Sequence, residues 1–126
     1  MFRVLGAAIA LSLGLSGISS ATEWVSVSTA NQAINYVDIQ SIRRSGSIAW
    51  YWTYTIYAEP DRDGVLSFAS YESTDCDRRV VRLRKYIEYD SSRRTTFKTE
   101  PDDRGPLVKI DAGTPAEAIF RFVCLR

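Results

Sequence analysis

The sequence predicts an α+β domain: a twisted antiparallel sheet of about six strands, with one C-terminal helix packed on a face of it and held by a disulfide. Three observations carry this. Between residues 24 and 99 the apolar and aromatic positions recur with a period of two, the mark of half-buried strands. At Thr114 the period becomes that of a helix. Cys76 and Cys124 are the two cysteines of the chain, and both follow what reads as an export leader, the setting in which thiols pair.

The leader occupies residues 1–21. Arg3 supplies the positive start, residues 4–15 are apolar, and Ser19, Ser20 and Ala21 are the small residues of a cleavage site. The apolar run is shorter than the ~20 residues that cross a bilayer. Cleavage after Ala21 is therefore expected, leaving no stable membrane span and a single domain over residues 22–126. That domain is placed in the periplasm, or secreted to the cell surface. The chain has 16 basic and 15 acidic residues, and Arg3 leaves with the leader, so the mature net charge is near zero. Such a balance offers no general attraction to nucleic acid or acidic lipid.

The elements follow in order. Trp24, Val25 and Val27 alternate with small polar residues, and residues 33–38 give a second short strand. Residues 47–58 are the clearest strand: Ile48, Trp50, Trp52, Tyr54 and Ile56 share one face, and Ala49, Tyr51, Thr53, Thr55 and Tyr57 the other. Residues 59–64 read Glu-Pro-Asp-Arg-Asp-Gly, a turn. Strands are expected over 65–75, over 78–89 after the Cys76-Asp77 corner, and more weakly over 93–99. Connections this short pair strands antiparallel. Thr114-Pro115-Ala116-Glu117 starts a helix with a threonine N-cap, proline at the first position and a capping-box glutamate. Ala116, Ile119, Phe120 and Val123 follow at helical spacing, and Cys124 lies four residues after Phe120. A helix this short is not stable alone and needs the sheet. A Cys76–Cys124 bridge would contribute about 4 kcal/mol by the chain-entropy model.

Catalysis is poorly supplied. The chain has no histidine, which removes the commonest general base and zinc ligand. Two cysteines do not make a structural zinc site, and a serine nucleophile needs an activating base. No enzyme activity, metal or cofactor is expected. Asp61-Arg62-Asp63-Gly64 looks like a fragment of a calcium loop but lacks the remaining ligands, and it reads as a hairpin turn. Residues 102–106 read the same way.

Two surface readings remain. Arg78, Arg79, Arg82, Arg84, Lys85, Arg93 and Arg94 form a basic group. Simple alternation puts Arg82 and Arg84 with Tyr86, and Lys85 opposite with Leu83 and Ile87. This is either a solvated face paired to Glu72, Glu88 and Asp90, or a docking patch for an acidic or sulfated partner. The Trp50, Trp52, Tyr54 stripe is the more apolar and is expected beneath the helix. Tyr51, Thr53, Thr55 and Tyr57 then face outward. The expected binding surface is therefore Tyr51 and Tyr57 with Arg82 and Arg84.

An ordered set of motifs resembles a known family. Tyr36-x-Asp38, then Ser41-Ile42-Arg43-Arg44-x-Gly46, then Trp50 on the next strand, is similar to the surface-adhesin protein E domain of Gram-negative bacteria. Trp24-Val25 matches its first strand, Ser70 and Asp75-Cys76 a later one, and Ala112-Gly113-Thr114 through Cys124 its closing helix. The family usually opens that helix with Pro-Gly-Ser. The resemblance implies a small exported protein and, as in the family's adhesins, binding to host matrix and plasma proteins. The expected function is an exported, non-enzymatic, adhesin-like binding module. Its partner is then a host extracellular or an envelope protein, with a homodimer among the occupants of its surface. The alternative is a periplasmic inhibitor or accessory subunit of an envelope enzyme or complex.

Overall fold

In this computed structural model the described residues are 22–100 and 104–126; the expected leader, residues 1–21, lies outside them. Eight antiparallel strands form one sheet: β1 (Trp24–Ala30), β2 (Ala33–Asp38), β3 (Arg43–Ser45), β4 (Ile48–Tyr57), β5 (Ser67–Asp75), β6 (Val80–Tyr89), β7 (Thr95–Thr99) and β8 (Leu107–Lys109). Six of them run in the order β1-β2-β4-β5-β6-β7, as the six-strand expectation has it. The short β3 and β8 were not legible in the sequence. They pair β4 and β6 respectively, so β2 and β3 lie end to end along one strand, and β7 and β8 along another. One helix, α1 (Pro115–Cys124), packs on β1 and β4.

The joint between β2 and β3 explains two residues of the family motif. Asp38 is buried, and its Oδ1 accepts from Glu23 N at 2.8 Å and Gln40 N at 3.0 Å. It thereby ties the start of β1 and caps the 3-10 turn Ile39–Ser41. Ser41 Oγ donates to Asp38 O at 2.7 Å and accepts from Trp52 N at 2.9 Å. Trp52 sits on β4 between Thr53, which pairs Val37 of β2, and Trp50, which pairs Arg43 of β3. Ser41 thus supplies the acceptor for a sheet amide that neither strand reaches.

The helix begins as its sequence requires. Thr114 Oγ1 accepts from Glu117 N at 3.2 Å, and Glu117 Oε1 accepts from Gly113 N at 2.9 Å, one residue upstream of the usual reciprocal bond. Arg79 pairs Glu117 at 3.2 Å and lies 4.5 Å above the Phe120 ring, so one member of the basic group serves the helix. At the far end Cys76 and Cys124 are bonded, their Cα atoms 5.7 Å apart. The core joins Val37, Ala49 and Tyr51 of the sheet to Ile119 and Val123 of the helix.

That core corrects the assignment of faces. The helix lies on the Tyr51 side of β4, and the Trp50, Trp52, Tyr54 stripe is on the side away from it. Tyr51 is 1% exposed and is no part of a binding surface. The physical reason is size. The helix brings bulky Ile119, Phe120 and Val123, and close packing on them suits the small Ala49, Thr53 and Thr55 better than a row of indoles. The larger rings instead shield one another: Trp52 on Tyr71 at 5.2 Å and Trp24 on Tyr54 at 5.5 Å.

Candidate functional site

The helix-free face of the sheet is built from alternate residues of β4, β5 and β6. Trp50 pairs Ser73, Trp52 pairs Tyr71 and Tyr54 pairs Ala69; Ser73 in turn pairs Arg82. The three large β4 rings are half-buried, whereas Trp24 beside Tyr54 is an exposed large hydrophobic. Among the described residues no helix lies over this face, so the aromatic row is partly open to solvent.

A β-bulge decides where the basic residues point. Tyr71 pairs Lys85 but Glu72 pairs Leu83, which leaves Arg84 as the extra residue. Past the bulge the alternation changes phase. Lys85 therefore joins Arg82 and Arg84 on the helix-free face, and Tyr86 turns to the helix side, where its ring meets Phe68 at 5.4 Å. Simple alternation, which joins Tyr86 to the arginines and sets Lys85 apart, fails at this point.

Arg84 Nε donates to Ser73 Oγ at 2.9 Å, and Arg82 Nη1 donates to Gly105 O at 2.6 Å. With Arg78 they border a groove of about 190 Å³ whose walls include Ile48, Trp50 and Leu107, with Asp75 also present. A second hollow of about 260 Å³ lies between Trp24, Tyr54, Tyr89 and Arg93. The sequence-predicted site is thereby divided. Arg82 and Arg84 line the helix-free face. Tyr57 lies on the other face, past the helix, with its ring 5.9 Å from Phe68. Tyr51 is internal. The residues missed are Trp50, Trp52 and Tyr71, whose exposure follows once the helix is placed on the small-residue side.

Beneath the helix lies a polar strip. Thr55 Oγ1 donates to Asn35 Oδ1 at 2.8 Å, and the Tyr51 hydroxyl bonds Thr74 Oγ1. Glu72 stands opposite Tyr51, and burial pushes its carboxyl up to about 7 against a hydrogen bond from Tyr51 that lowers it. The same burial, then the Glu72 charge, holds the Tyr51 phenol well above its ordinary range. The turn at Asp61 is closed by its own side chain: Oδ1 accepts from Asp63 N at 2.9 Å and Val65 N at 3.0 Å.

The fold and motif set agree with what the chain matches. Its residues 24–125 match the model of the surface-adhesin protein E family, and the chain belongs to that family. Among solved structures it is similar to Haemophilus influenzae protein E, with a TM-score of 0.55 and 13% identity, covering 86% of this chain and 91% of that one. A second crystal form of that protein gives 0.51 at 13% identity, covering 84% and 97%. Protein E from non-typeable Haemophilus influenzae gives 0.54 at 12% identity, covering 86% and 80%. At such identity the likeness establishes the fold alone. No curated protein matches the chain by sequence. Among the described residues, no helix is long and apolar enough to cross a membrane.

Proposed function

We propose that this protein is an exported, non-enzymatic, adhesin-like module that binds a host extracellular protein through the helix-free face of its sheet. One observation carries the reading: a row of aromatic side chains, Trp50, Trp52, Tyr54 and Tyr71, flanked by Arg82 and Arg84, stands on the sheet face opposite the helix, which no element among the described residues covers. Aromatic and arginine side chains are the types that contribute most binding energy at protein interfaces. The chemical inventory supports binding over turnover. There is no histidine, both thiols are joined, and the carboxylates of Asp38, Asp61, Asp75 and Asp90 accept backbone N–H groups at turns. Family membership supports placement at the surface of the cell.

The test is binding of the purified protein to immobilised extracellular-matrix proteins against an albumin control, joined to protease accessibility on intact cells. Trp52→Ser and Arg84→Ser are each expected to weaken binding at least tenfold while each variant stays folded, with a single cooperative thermal transition. The mature N-terminus should be Thr22 by mass spectrometry. Absence of binding, with the protein shielded inside intact cells and captured instead on an envelope enzyme, would overturn the adhesin reading in favour of the inhibitor or accessory role.

A further inference from the structure

The helix side of the sheet extends past the helix, and there the chain builds a second surface of different chemistry. Four rings stand in a row, one on each successive strand: Tyr57 on β4, Phe68 on β5, Tyr86 on β6 and Phe97 on β7. Their centroids are 5.9, 5.4 and 6.3 Å apart. Phe97, at the sheet edge, is 53% exposed, and the other three are half-buried. Carboxylates accompany them. Glu88 Oε2 accepts from the Tyr86 hydroxyl at 2.7 Å and pairs Phe97 in register. Burial first, and then the nearby Asp61 and Glu88 charges, raise the Tyr57 phenol; the Tyr86 phenol is raised by burial, its bond to Glu88 and the same two charges. The exposed turn that holds Asp61 adds Glu59 and Asp63, against Arg62.

The register separates the charges of this half of the sheet. Along β4 to β7 no residue paired onto the ladder's side is basic, and Glu72 and Glu88 share it. Arg82, Arg84, Lys85 and Lys98 belong to the opposite face, and Arg44 of β3, which pairs Ala49 on the ladder's side, lies at the other end of β4 near Cys124. Around the ladder, therefore, this half of the sheet carries an acidic aromatic side and a basic aromatic one.

We infer that the Tyr57–Phe68–Tyr86–Phe97 ladder is a docking surface for an extended basic segment of a protein partner, whose lysine or arginine side chains lie over the rings beside Glu88 and Asp61. Ring faces attract cations through their quadrupole, more strongly where water is partly excluded. Adjacent carboxylates add charge complementarity and suppress acidic partners. The spacing selects a peptide. Alternate side chains of an extended chain recur every ~6.6–6.8 Å, close to the ring-to-ring distances here, and a lone small cation would use only part of a four-ring row. This surface is distinct from the helix-free face and stands or falls independently of it.

The test is fluorescence anisotropy of a labelled alternating Lys-Thr heptapeptide on the purified protein at low and physiological salt, with an alternating Glu-Thr heptapeptide as control. The basic peptide is expected to bind, more weakly at higher salt, and the acidic one not to bind. Glu88→Gln and Phe97→Ala should each weaken binding at least fivefold. Phe97→Leu, which keeps an apolar contact but removes the ring face, should do the same, and Arg84→Ser, on the opposite face, should leave the basic peptide's binding in place. Phe97 is at an exposed edge, so these variants should keep the parent thermal transition within a few degrees. Equal binding of both peptides, or unchanged affinity in Phe97→Ala and Glu88→Gln, would overturn the proposal. So would displacement of the peptide by tetramethylammonium at equal concentration, which would assign the ladder to small cations.

Discussion

Tyr51 and Glu72 stand opposite each other on β4 and β5, and burial raises the Glu72 carboxyl from 4.5 to about 7. The native state therefore keeps a proton that the unfolded chain releases near pH 4.5. Between about pH 4.5 and 7 the native state binds more protons, so stability falls as pH rises through that window and levels above it. Glu72→Gln should remove this fall and stabilise the protein at pH 8 by about 1–3 kcal/mol, allowing for the side chain's partial exposure. Urea unfolding at pH 4.5, 6 and 8 checks it; parent stability that rises across the window would contradict it.

The placement of the helix predicts opposite responses from neighbouring residues of one strand. Tyr51→Ser removes a fully buried ring and should cost about 3–5 kcal/mol. Trp52→Ser, on the helix-free face, should cost about 1–2 kcal/mol. Chemical denaturation of the two variants decides between the faces. A tolerated Tyr51→Ser with an unfolded Trp52→Ser would restore the assignment that the sequence suggested.

Ser41 is predicted to hold the joint between β2 and β3. Ser41→Ala leaves the Trp52 amide without its acceptor and should cost about 1–2 kcal/mol. Amide hydrogen exchange localises the effect: Trp52 N–H should lose protection relative to Thr53, which keeps its sheet partner.

The bridge between Cys76 and Cys124 should be structural. Cys124→Ala is expected to lower stability by about 2–5 kcal/mol. Thiol titration of the exported, oxidised protein in denaturant should find no free thiol.

Much of this fold was legible because local chemistry and tertiary need agree. The alternation of β4, the turn at Gly64 and the Thr114 cap each required only nearby residues. What failed required knowledge of a neighbour. Total apolarity favoured burying Trp50 and Trp52, but a helix that carries Ile119 and Phe120 seats on small residues, and no single-strand pattern contains that fact. The bulge at Arg84 changed the phase of β6 without a glycine or proline to announce it. β3 and β8 are three residues long and exposed throughout, so they carry no burial period at all. Of the candidate site, Arg82 and Arg84 kept a common face, Tyr57 went to the other one, and Tyr51 went inside.

The helix rests on β1, although nearly the whole chain separates them. Every other major contact joins strands adjacent in sequence or separated by one short insertion. Neighbouring hairpins can zip up quickly, whereas uniting the two ends requires closure of the longest loop in the molecule. A sheet without its docked helix would leave Val37, Ala49 and Tyr51 wet. The Cys76–Cys124 bond fastens this long-range contact, so reducing it is expected to free the helix before the hairpins open.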